Sequence, residues 1–353
     1  MKSSQLTKTL WRQPLRRVAV AVPAVIVAAV VLAACSTNST PSGSSTSGGA
    51  NGASGGNGIT IAVMGGAASD PFWSTVKNGD LGAAKAVEAA GGKVTFFAMP
   101  NYNNFNPDAA KLVANILATK PSAAVIPDWA PEAQNANIKA LVAAGIPVFI
   151  YNTGSDQVKT VGAMSYIGSD NTQSGKLAGE QLSAAGSKHV VCINTLPGTT
   201  TGQQYCDGLK EGATSGGSTE TELDLPSSQF GDPTSVTQAI KGALLKDPSI
   251  DGVFTVDAGD GTSAANAISQ AGLNGKVKLA VQNFDSDGLS RIKSGSELVA
   301  IDQQGYAQGY YAVSAAFQYV AYGINLGNIA TGPSAITKSN VAVVLKGQQL
   351  GVR

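Results

Sequence analysis

From residue 59 onward, short apolar runs alternate with Ala-rich segments whose apolar positions recur at helical spacing. Short apolar runs bounded by turn residues are typical of buried strands, and the spacing of the intervening segments is typical of amphipathic helices. The predicted strands lie at 59–64, 94–99, 123–126, 148–151, 190–194, 221–225, 253–256, 277–283 and 298–302. Such alternation predicts parallel sheets covered by helices on both faces. The predicted fold class is α/β, with two doubly wound parallel-sheet lobes and a ligand cleft between them.

Boundary residues support this division into strands and helices. Asp70-Pro71 precedes the first predicted helix and Gly91-Gly92 follows it. An acceptor side chain before a first-turn proline, with glycine beyond the end, is typical of helix boundaries. Asn106-Pro107 and Pro131 open the next two helices. Later helices are predicted from 171 to about 185, from about 201, over 233–245, between 257 and 277, from 286, and from 303 to about 323.

Residues 1–34 have the layout of an export signal. Five basic residues precede an uncharged run that starts at residue 18. A basic start, an apolar core and small residues before a cleavage point define such signals. The run ends in Leu32-Ala33-Ala34-Cys35, which resembles the lipobox of bacterial lipoproteins. This resemblance implies that residues 1–34 are removed and that a lipid is attached to Cys35.

The alternative for this segment is an uncleaved membrane helix, since about 17 apolar residues can span a bilayer. Pro23 inside the run and the Ser/Gly-rich stretch after Cys35 favour the cleaved form. Residues 36–58 carry no charge and are almost entirely Ser, Thr, Gly, Asn and Ala. This composition predicts a flexible linker with a reach of about 25 Å. We therefore expect an extracytoplasmic protein, anchored to the outer face of the cell membrane (in the periplasm if an outer membrane exists).

Charge, length and residue usage limit the classes of function. The formal net charge is +1 with no basic stripe, which argues against a nucleic-acid partner. The chain beyond the linker is longer than a single hydrophobic core usually supports, which favours two domains. No His-Glu-x-x-His or Gly-x-Ser-x-Gly motif occurs, and the single histidine, His189, offers little base chemistry. We expect no enzymatic activity, no cofactor and no metal site, although the aspartates 257 and 260 could in principle serve a glycosidase.

The chain has two cysteines besides Cys35. Cys192 lies in a predicted strand and Cys206 in the next predicted helix. In an exported protein they could form a disulfide, which would contribute about 3 kcal/mol of stability. Two buried free thiols are the alternative.

Polar and aromatic residues follow the carboxyl ends of the predicted strands, where open parallel sheets bind their ligands. In chain order they are Ser69, Asp70, Phe72, Trp73, Asp128, Trp129, Asn152, Thr153, Thr199, Thr200, Asp257, Asp260, Asp285 and Gln303. Carboxylates and amides hydrogen-bond adjacent hydroxyl groups, and aromatic faces cover the C–H faces of sugar rings. The set therefore favours a neutral, polyhydroxylated ligand. Asp70 and Asp285 could instead be helix caps, and Trp129 could pack between lobes.

A collinear series of motifs covering 59 to about 323 is similar to the ribose-type periplasmic sugar-binding proteins of ABC importers, which share their fold with the lactose-repressor effector domain. Asp70-Pro71-Phe72-Trp73 resembles the first ligand loop of that family, and Asn283-Phe284-Asp285 resembles its Gly-Phe-Asp. Residues 167–171 (IGSDN) and 175–179 (GKLAG) also match, and Asp302-Gln303 lies where the family has its hinge glutamine. The resemblance implies ligand contacts from Asp70, Phe72, Trp73, Asn152, Asp257, Asp285 and Gln303.

Departures from the family pattern bear on the ligand. Asn152-Thr153 stands where ribose binders have Asp-Arg, and Tyr205 (or Gln203, if the register slips) stands where they have arginine. Asp257 replaces an asparagine. With two arginines lost and one carboxylate gained, we expect an acidic pocket that disfavours anionic sugars. A neutral sugar or polyol is the expected ligand, and a cationic molecule is the alternative.

The resemblance also implies how the lobes are built. It assigns 59–168 plus 304–335 to one lobe and 169–303 plus 336–353 to the other, with crossings near 168–169, near 302–303 and after about 335. Such hinges let lobes close around a ligand, which a membrane permease would then receive. The implied partners are the ligand and the permease subunits, and we expect a monomer. A sensory protein that presents its ligand to a receptor is the alternative role.

One further motif has a competing interpretation. Residues 259–264, GDGTSA, fit the Gly-x-Gly-x-x-Ala form of the dinucleotide-binding pattern, follow a strand and open a helix. The strand is internal to the second half rather than first, and the exported location offers no obvious nicotinamide pool. We interpret this motif as a Gly-rich helix start that lines the cleft.

Overall fold

A computed structural model describes residues 58–353, except the side chain of Ser227. The predicted leader, the lipid-bearing Cys35 and nearly all of the linker lie outside the described residues. The strands are β1 Thr60–Gly65, β2 Lys93–Ala98, β3 Ala123–Ile126, β4 Val148–Tyr151, β5 Tyr166–Ser169, β6 His189–Asn194, β7 Thr219–Asp224, β8 Gly252–Thr255, β9 Lys278–Gln282, β10 Val299–Asp302, β11 Ile329–Gly332 and β12 Ser334–Ile336.

The helices of this region follow the strands in regular alternation. They are α1 Pro71–Ala89, α2 Phe105–Thr119, α3 Pro131–Ala143, α4 Val158–Val161, α5 Asn171–Ala184, α6 Thr200–Ser215, α7 Pro233–Lys246, α8 Ala258–Gln270, α9 Ser286–Ser294, α10 Gly305–Tyr322 and α11 Val341–Gln349. Among the helices of residues 58–353, none combines the length and the apolar composition of a membrane-spanning segment.

The strands form two six-stranded sheets with the same spatial order. The first sheet runs β11-β5-β4-β3-β1-β2 and the second runs β12-β10-β9-β8-β6-β7. All pairings are parallel except that of β10 with β12. Each sheet has buried apolar clusters on both of its faces, as a doubly wound sheet requires.

The chain passes between the sheets at three places. It crosses after β5, then between β10 and α10, and finally between β11 and β12. The sequence-based interpretation put the third crossing after about residue 335, and in the structure it lies at 332–334 because β12 already belongs to the second sheet. Three short, adjacent connections allow the lobes to rotate against each other.

Small residues let one helix pair in each lobe pack unusually closely. A Cβ atom on Gly175 of α5 would overlap the carbonyl oxygen of Tyr205 in α6, and one on Gly208 of α6 would overlap that of Thr172 in α5. In the first lobe, Gly79 of α1 and Gly309 of α10 meet in the same way. Glycine at these positions is therefore required by close backbone approach.

Candidate ligand-binding site

A cavity lies between the two lobes at the carboxyl ends of their strands. Clefts between lobes at the ends of parallel strands are common places for small-molecule sites. The cavity is lined by Asp70, Phe72, Trp73, Tyr102, Phe105, Trp129, Asn152, Leu196, Thr199, Thr201, Tyr205, Phe230, Val256, Asp257, Asn283 and Gln303. None of these lining residues is Lys, Arg or His, so the walls described here offer no cationic side chain.

Aromatic rings in edge-to-face contact form the wall contributed by the first lobe. Trp73, in the first turn of α1, lies with its ring centroid 5.4 Å from that of Trp129 and 5.3 Å from that of Phe72. Both contacts have nearly perpendicular planes, which the ring quadrupoles favour. Trp129, between β3 and α3, is only 4% exposed and packs against Phe105 as well. The rings brace one another and present a rigid apolar surface.

Asn152 connects this aromatic wall to the hinge. Its Oδ1 accepts a hydrogen bond from Nε1 of Trp129 at 3.1 Å. Its Nδ2 donates to Oε1 of Gln308 at 3.1 Å and lies 3.4 Å from Oε1 of Gln303. Asn152 has a φ of +64°, a left-handed conformation that asparagine tolerates better than most residues. The backbone conformation and the hydrogen bonds together fix the orientation of this amide.

Two carboxylates border the cavity, one from each lobe. Asp70 caps α1, its Oδ1 accepting from the N–H of Phe72 at 2.9 Å, and Asp257 caps α8, its Oδ1 accepting from the N–H of Gly259 at 2.7 Å. Burial, reinforced by the charge of Asp257, raises the pKa of Asp70 to about 7. Burial also raises the pKa of Asp257 against the hydrogen bonds from its helix N-terminus. Each residue therefore combines a capping role with a place in the cavity wall.

Tyr205 lines the cavity from α6 in the second lobe. Its side chain is 3% exposed, and its ring packs 6.4 Å from that of Phe254. Gln203, the alternative position for a register slip, is not among the lining residues. Gln303 reaches the cavity from the second crossing between the lobes.

Two predicted contact residues lie elsewhere. Asp128 is fully buried beside Trp129, and neither carboxylate oxygen has a hydrogen-bond partner. Burial and the nearby charge of Asp156 raise the pKa of Asp128 to about 7. It does not line the cavity, since the chain turns after β3 so that only Trp129 faces the ligand side.

Asp285 is the second predicted contact that lies outside this cavity. Its Oδ1 accepts from the N–H of Gly288 at 2.6 Å and its Oδ2 accepts from the hydroxyl group of Thr262 at 3.1 Å. The guanidinium of Arg291 lies 4.0 Å away. Asp285 thus caps α9 beside the guanidinium of Arg291. It therefore does not add an unpaired carboxylate to the cavity.

The sequence interpretation did not include Tyr102, Phe105 or Phe230. Tyr102 and Phe105 follow β2, and Phe230 lies in the segment between β7 and α7. Tyr102 contacts Phe230 across the cleft with ring centroids 5.0 Å apart. The only sequence signal was three isolated aromatic residues in polar segments, two in loops and Phe105 at the start of α2, which is a hint of ligand contact when such segments follow strands.

The remaining sequence-based interpretations concern the cysteines and the glycine-rich segment. Cys192 and Cys206 are joined by a disulfide, with their Cα atoms 5.6 Å apart, inside an apolar cluster of the second lobe. Residues 259–264 form the first turns of α8, with Gly261 packed tightly against Val281. Within residues 58–353, no group of three or more His, Cys, Asp or Glu side chains is placed to hold a metal ion.

Comparison with known proteins identifies the family to which the chain belongs. The family model described as a periplasmic binding protein domain matches residues 61–324. The chain belongs to this family. Its match extends from β1 through α10, so it includes every strand end that forms the cavity. The fold predicted from the sequence, two doubly wound lobes of the type I periplasmic binding proteins, is confirmed.

Individual relatives cover most of the chain. A carbohydrate transporter from Acidothermus cellulolyticus, solved in complex with myo-inositol, is 32% identical with a TM-score of 0.75, covering 84% of this chain and all of that one. An ABC transporter solute-binding protein from Agrobacterium vitis, bound with α-D-tagatopyranose, is 29% identical with a TM-score of 0.69, covering 80% of this chain and 96% of that one.

A curated relative gives a shorter match. The xylose/arabinose-binding protein of Sulfolobus acidocaldarius is 30% identical over an alignment of 219 residues that covers 56% of this chain and 52% of that protein. The chain therefore spans about half the length of the curated relative that it matches.

Proposed function

We propose that this protein is the substrate-binding component of a bacterial ABC importer and that it captures a neutral sugar or polyol between its lobes. The observation that carries the proposal is the cavity itself. It combines a braced aromatic wall with carboxylate, amide and hydroxyl groups from both lobes, and its described lining has no cationic side chain. Aromatic faces suit the C–H faces of a sugar ring, and the polar groups suit its hydroxyl groups.

The relatives support the same class of ligand. Myo-inositol, tagatose and the pentoses named for the three relatives are all small, neutral and rich in hydroxyl groups. For this chain we expect a ligand of that size, bound without chemical change. Closure would be driven by contacts that both lobes make with one ligand.

The proposal includes the location. The periplasmic binding protein family functions outside the cytoplasm, in keeping with the export signal read from residues 1–34. We further propose attachment to the membrane through a lipid on Cys35, with transfer of the ligand by a monomer to the permease subunits. Globomycin, which blocks lipoprotein signal cleavage, should cause a precursor to accumulate, and Cys35→Ser should release the protein from the membrane fraction.

A cationic ligand is the second candidate, and one observation favours it. Asp70 and Asp257 both line the cavity and no cationic side chain does, so an ammonium group could compensate their charge among the aromatic rings. An amino sugar would satisfy both this chemistry and the hydroxyl-binding groups. This candidate differs from the first in its response to glucosamine.

A thermal-shift panel on the full chain separates these candidates. It contains myo-inositol, D-xylose, D-tagatose, D-glucosamine and D-glucuronate. A ligand at 100 times its dissociation constant adds about 2.7 kcal/mol of stability, which gives a shift of several degrees. We expect a thermal shift with at least one neutral compound. A shift restricted to glucosamine would support the cationic candidate. A shift with glucuronate would contradict both candidates.

Two matched variants connect the shift to the cavity. Asp257→Ala should strongly reduce the ligand-induced shift, because Asp257 lines the cavity and alanine removes its hydrogen-bonding group. Asp285→Ala, which likewise removes a helix-capping carboxylate, should retain the shift, because Asp285 lies outside the cavity and contacts Gly288 and Arg291 instead. If the two variants lose the shift equally, the ligand does not occupy this cavity.

A further inference from the structure

Tyr102 contacts Ala67 and Asp70 in one lobe and the ring of Phe230 in the other. Its hydroxyl group accepts a hydrogen bond from the N–H of Ala67 at 3.0 Å and donates to Oδ2 of Asp70 at 2.9 Å. Its ring meets that of Phe230 with centroids 5.0 Å apart and planes at 73°. One side chain therefore links a carboxylate in the cavity wall to the opposite lobe.

The hydroxyl group of Tyr102 fixes how Asp70 faces the cavity. Oδ1 of Asp70 is held by the N–H of Phe72 and Oδ2 by Tyr102, so both oxygens have a set direction. A carboxylate accepts up to about four hydrogen bonds, which leaves lone pairs of Asp70 for a ligand hydroxyl group. Preorganisation of this kind lowers the cost of binding, since the carboxylate need not be reoriented.

The ring of Tyr102 separates two spaces. An outer cavity adjoins the inner one, and both are lined by Asp70, Tyr102, Phe230 and Asp257. The outer cavity continues over polar residues of both lobes, including Asn101 and Ser263. The Tyr102–Phe230 pair therefore stands at the boundary between the inner cavity and the cavity outside it.

The packing around Tyr102 is tight enough to hold it in this position. A Cβ atom on Gly66 would overlap the indole of Trp73 and lie 2.5 Å from the hydroxyl oxygen of Tyr102. The ring also packs 5.8 Å from that of Phe105, which in turn contacts Trp129. Tyr102 is thus continuous with the aromatic wall of the cavity.

We propose that Tyr102 is a positioning residue that orients Asp70 through its hydroxyl group and closes the inner cavity through its ring contact with Phe230. The proposal rests on the proposed function for its sugar ligand, while the closure can be measured without one. Bound sugar leaves when the Tyr102–Phe230 pair separates. Loss of the ring contact accelerates release, and loss of the hydroxyl group weakens recognition while leaving the closure intact.

The tryptophan content allows a direct test. The chain has three tryptophans, Trp11 in the leader and Trp73 and Trp129 in the cavity wall. In the full chain with Trp11→Phe as the common background, fluorescence therefore reports on the cavity alone. Acrylamide quenching, measured with and without sugar, reports closure, and stopped-flow fluorescence with myo-inositol, D-xylose and D-tagatose reports release.

Three variants separate the two roles. Phe230→Ala should raise quenching and increase the dissociation rate about three- to tenfold, the range expected for an aromatic pair. Tyr102→Phe keeps the ring, so quenching should match the background while affinity falls about tenfold. Tyr322→Phe, on an exposed residue of α10, is the matched control and should change neither quantity.

Each outcome bears on a distinct claim. Quenching in Phe230→Ala that equals the background, both with and without sugar, overturns the closure role. Unchanged affinity in Tyr102→Phe overturns the positioning role. If quenching rises in Phe230→Ala but the background protein binds none of the sugars, the closure role stands and the proposed sugar-binding function fails.

Discussion

Nδ2 of Asn152 donates to Oε1 of Gln308 at 3.1 Å, which joins the cavity wall to the buried face of α10. Nε2 of Gln308 in turn donates to the carbonyl oxygen of Gln303 at 3.1 Å. That carbonyl oxygen also accepts from the hydroxyl group of Thr331 at 2.9 Å. One hydrogen-bonded chain therefore runs from the ligand cavity to two of the three crossings between the lobes.

Gln308→Leu should destabilise the protein by about 1–3 kcal/mol, because it leaves the buried amide of Asn152 short of a partner. Urea denaturation measures this loss. Gln318→Leu, on a partly exposed residue of the same helix, is the control and should cost less than about 0.5 kcal/mol. Equal losses in the two variants would show that the hydrogen bonds of Gln308 contribute nothing specific.

Gly66→Ala should lower both stability and sugar affinity. The new methyl group would overlap the indole of Trp73, and overpacking of this kind costs about 1–3 kcal/mol. Gly242→Ala should have the opposite effect on stability. This glycine lies on the exposed face of α7, and a Cβ added there would have no atom within 4 Å. Alanine there should stabilise the protein by about 0.5–1 kcal/mol. Thermal unfolding of the two variants compares them, and a stable Gly66→Ala protein with full affinity would contradict the packing described.

Reduction of the Cys192–Cys206 disulfide should destabilise the protein by about 3 kcal/mol, the chain-entropy value for a loop of this length. Denaturation with and without dithiothreitol measures the effect. The double variant Cys192→Ala/Cys206→Ala is the control, since its stability should not respond to the reductant. If the parent protein is equally insensitive to reductant at equilibrium, these cysteines are not paired in solution.

The titration of Asp80 should make the free energy of unfolding fall as the pH rises. It is buried in α1 with Oδ1 unpartnered, and burial raises its pKa from 3.8 to about 8 despite the charge of Lys77. Because the folded state binds this proton more tightly than the unfolded state does, the stabilisation is complete below about pH 4. It is then lost progressively up to about pH 8.

Asp80→Asn removes this titration, so the variant should gain stability relative to the parent between pH 5 and pH 8. Urea denaturation across that range is the measurement. Asp287→Asn, on an exposed residue of α9, should leave the pH profile unchanged. A parent profile that keeps its slope in Asp80→Asn would place the responsible group elsewhere.

The sequence predicted those features that depend on local signals. Asp70-Pro71 marks the start of α1 by capping chemistry, and the buried strands other than β5, which was not predicted, are visible as apolar runs. The edge strands β11 and β12 were not predicted, because they are short, partly exposed segments that become strands only by pairing with β5 and β10. Their existence follows from the tertiary arrangement of the crossings.

The site was predictable where position after a strand determines what faces the cleft. Trp129 and Asn152 line the cavity in this way. Asp128 does not, because adjacent residues point to different sides and the turn after β3 buries the carboxylate. The loop residues Tyr102 and Phe230 could not be placed from sequence, since their meeting depends on two loops from different lobes.

Isothermal titration of the full chain with myo-inositol, D-xylose and D-tagatose, each compared with D-glucuronate, tests the central claim most directly. One neutral compound should bind with a stoichiometry of one per chain, and Asp257→Ala should strongly weaken this binding while Asp285→Ala retains it. Binding of glucuronate in preference to every neutral compound, or binding that survives Asp257→Ala unchanged, would contradict a neutral-sugar site in this cavity.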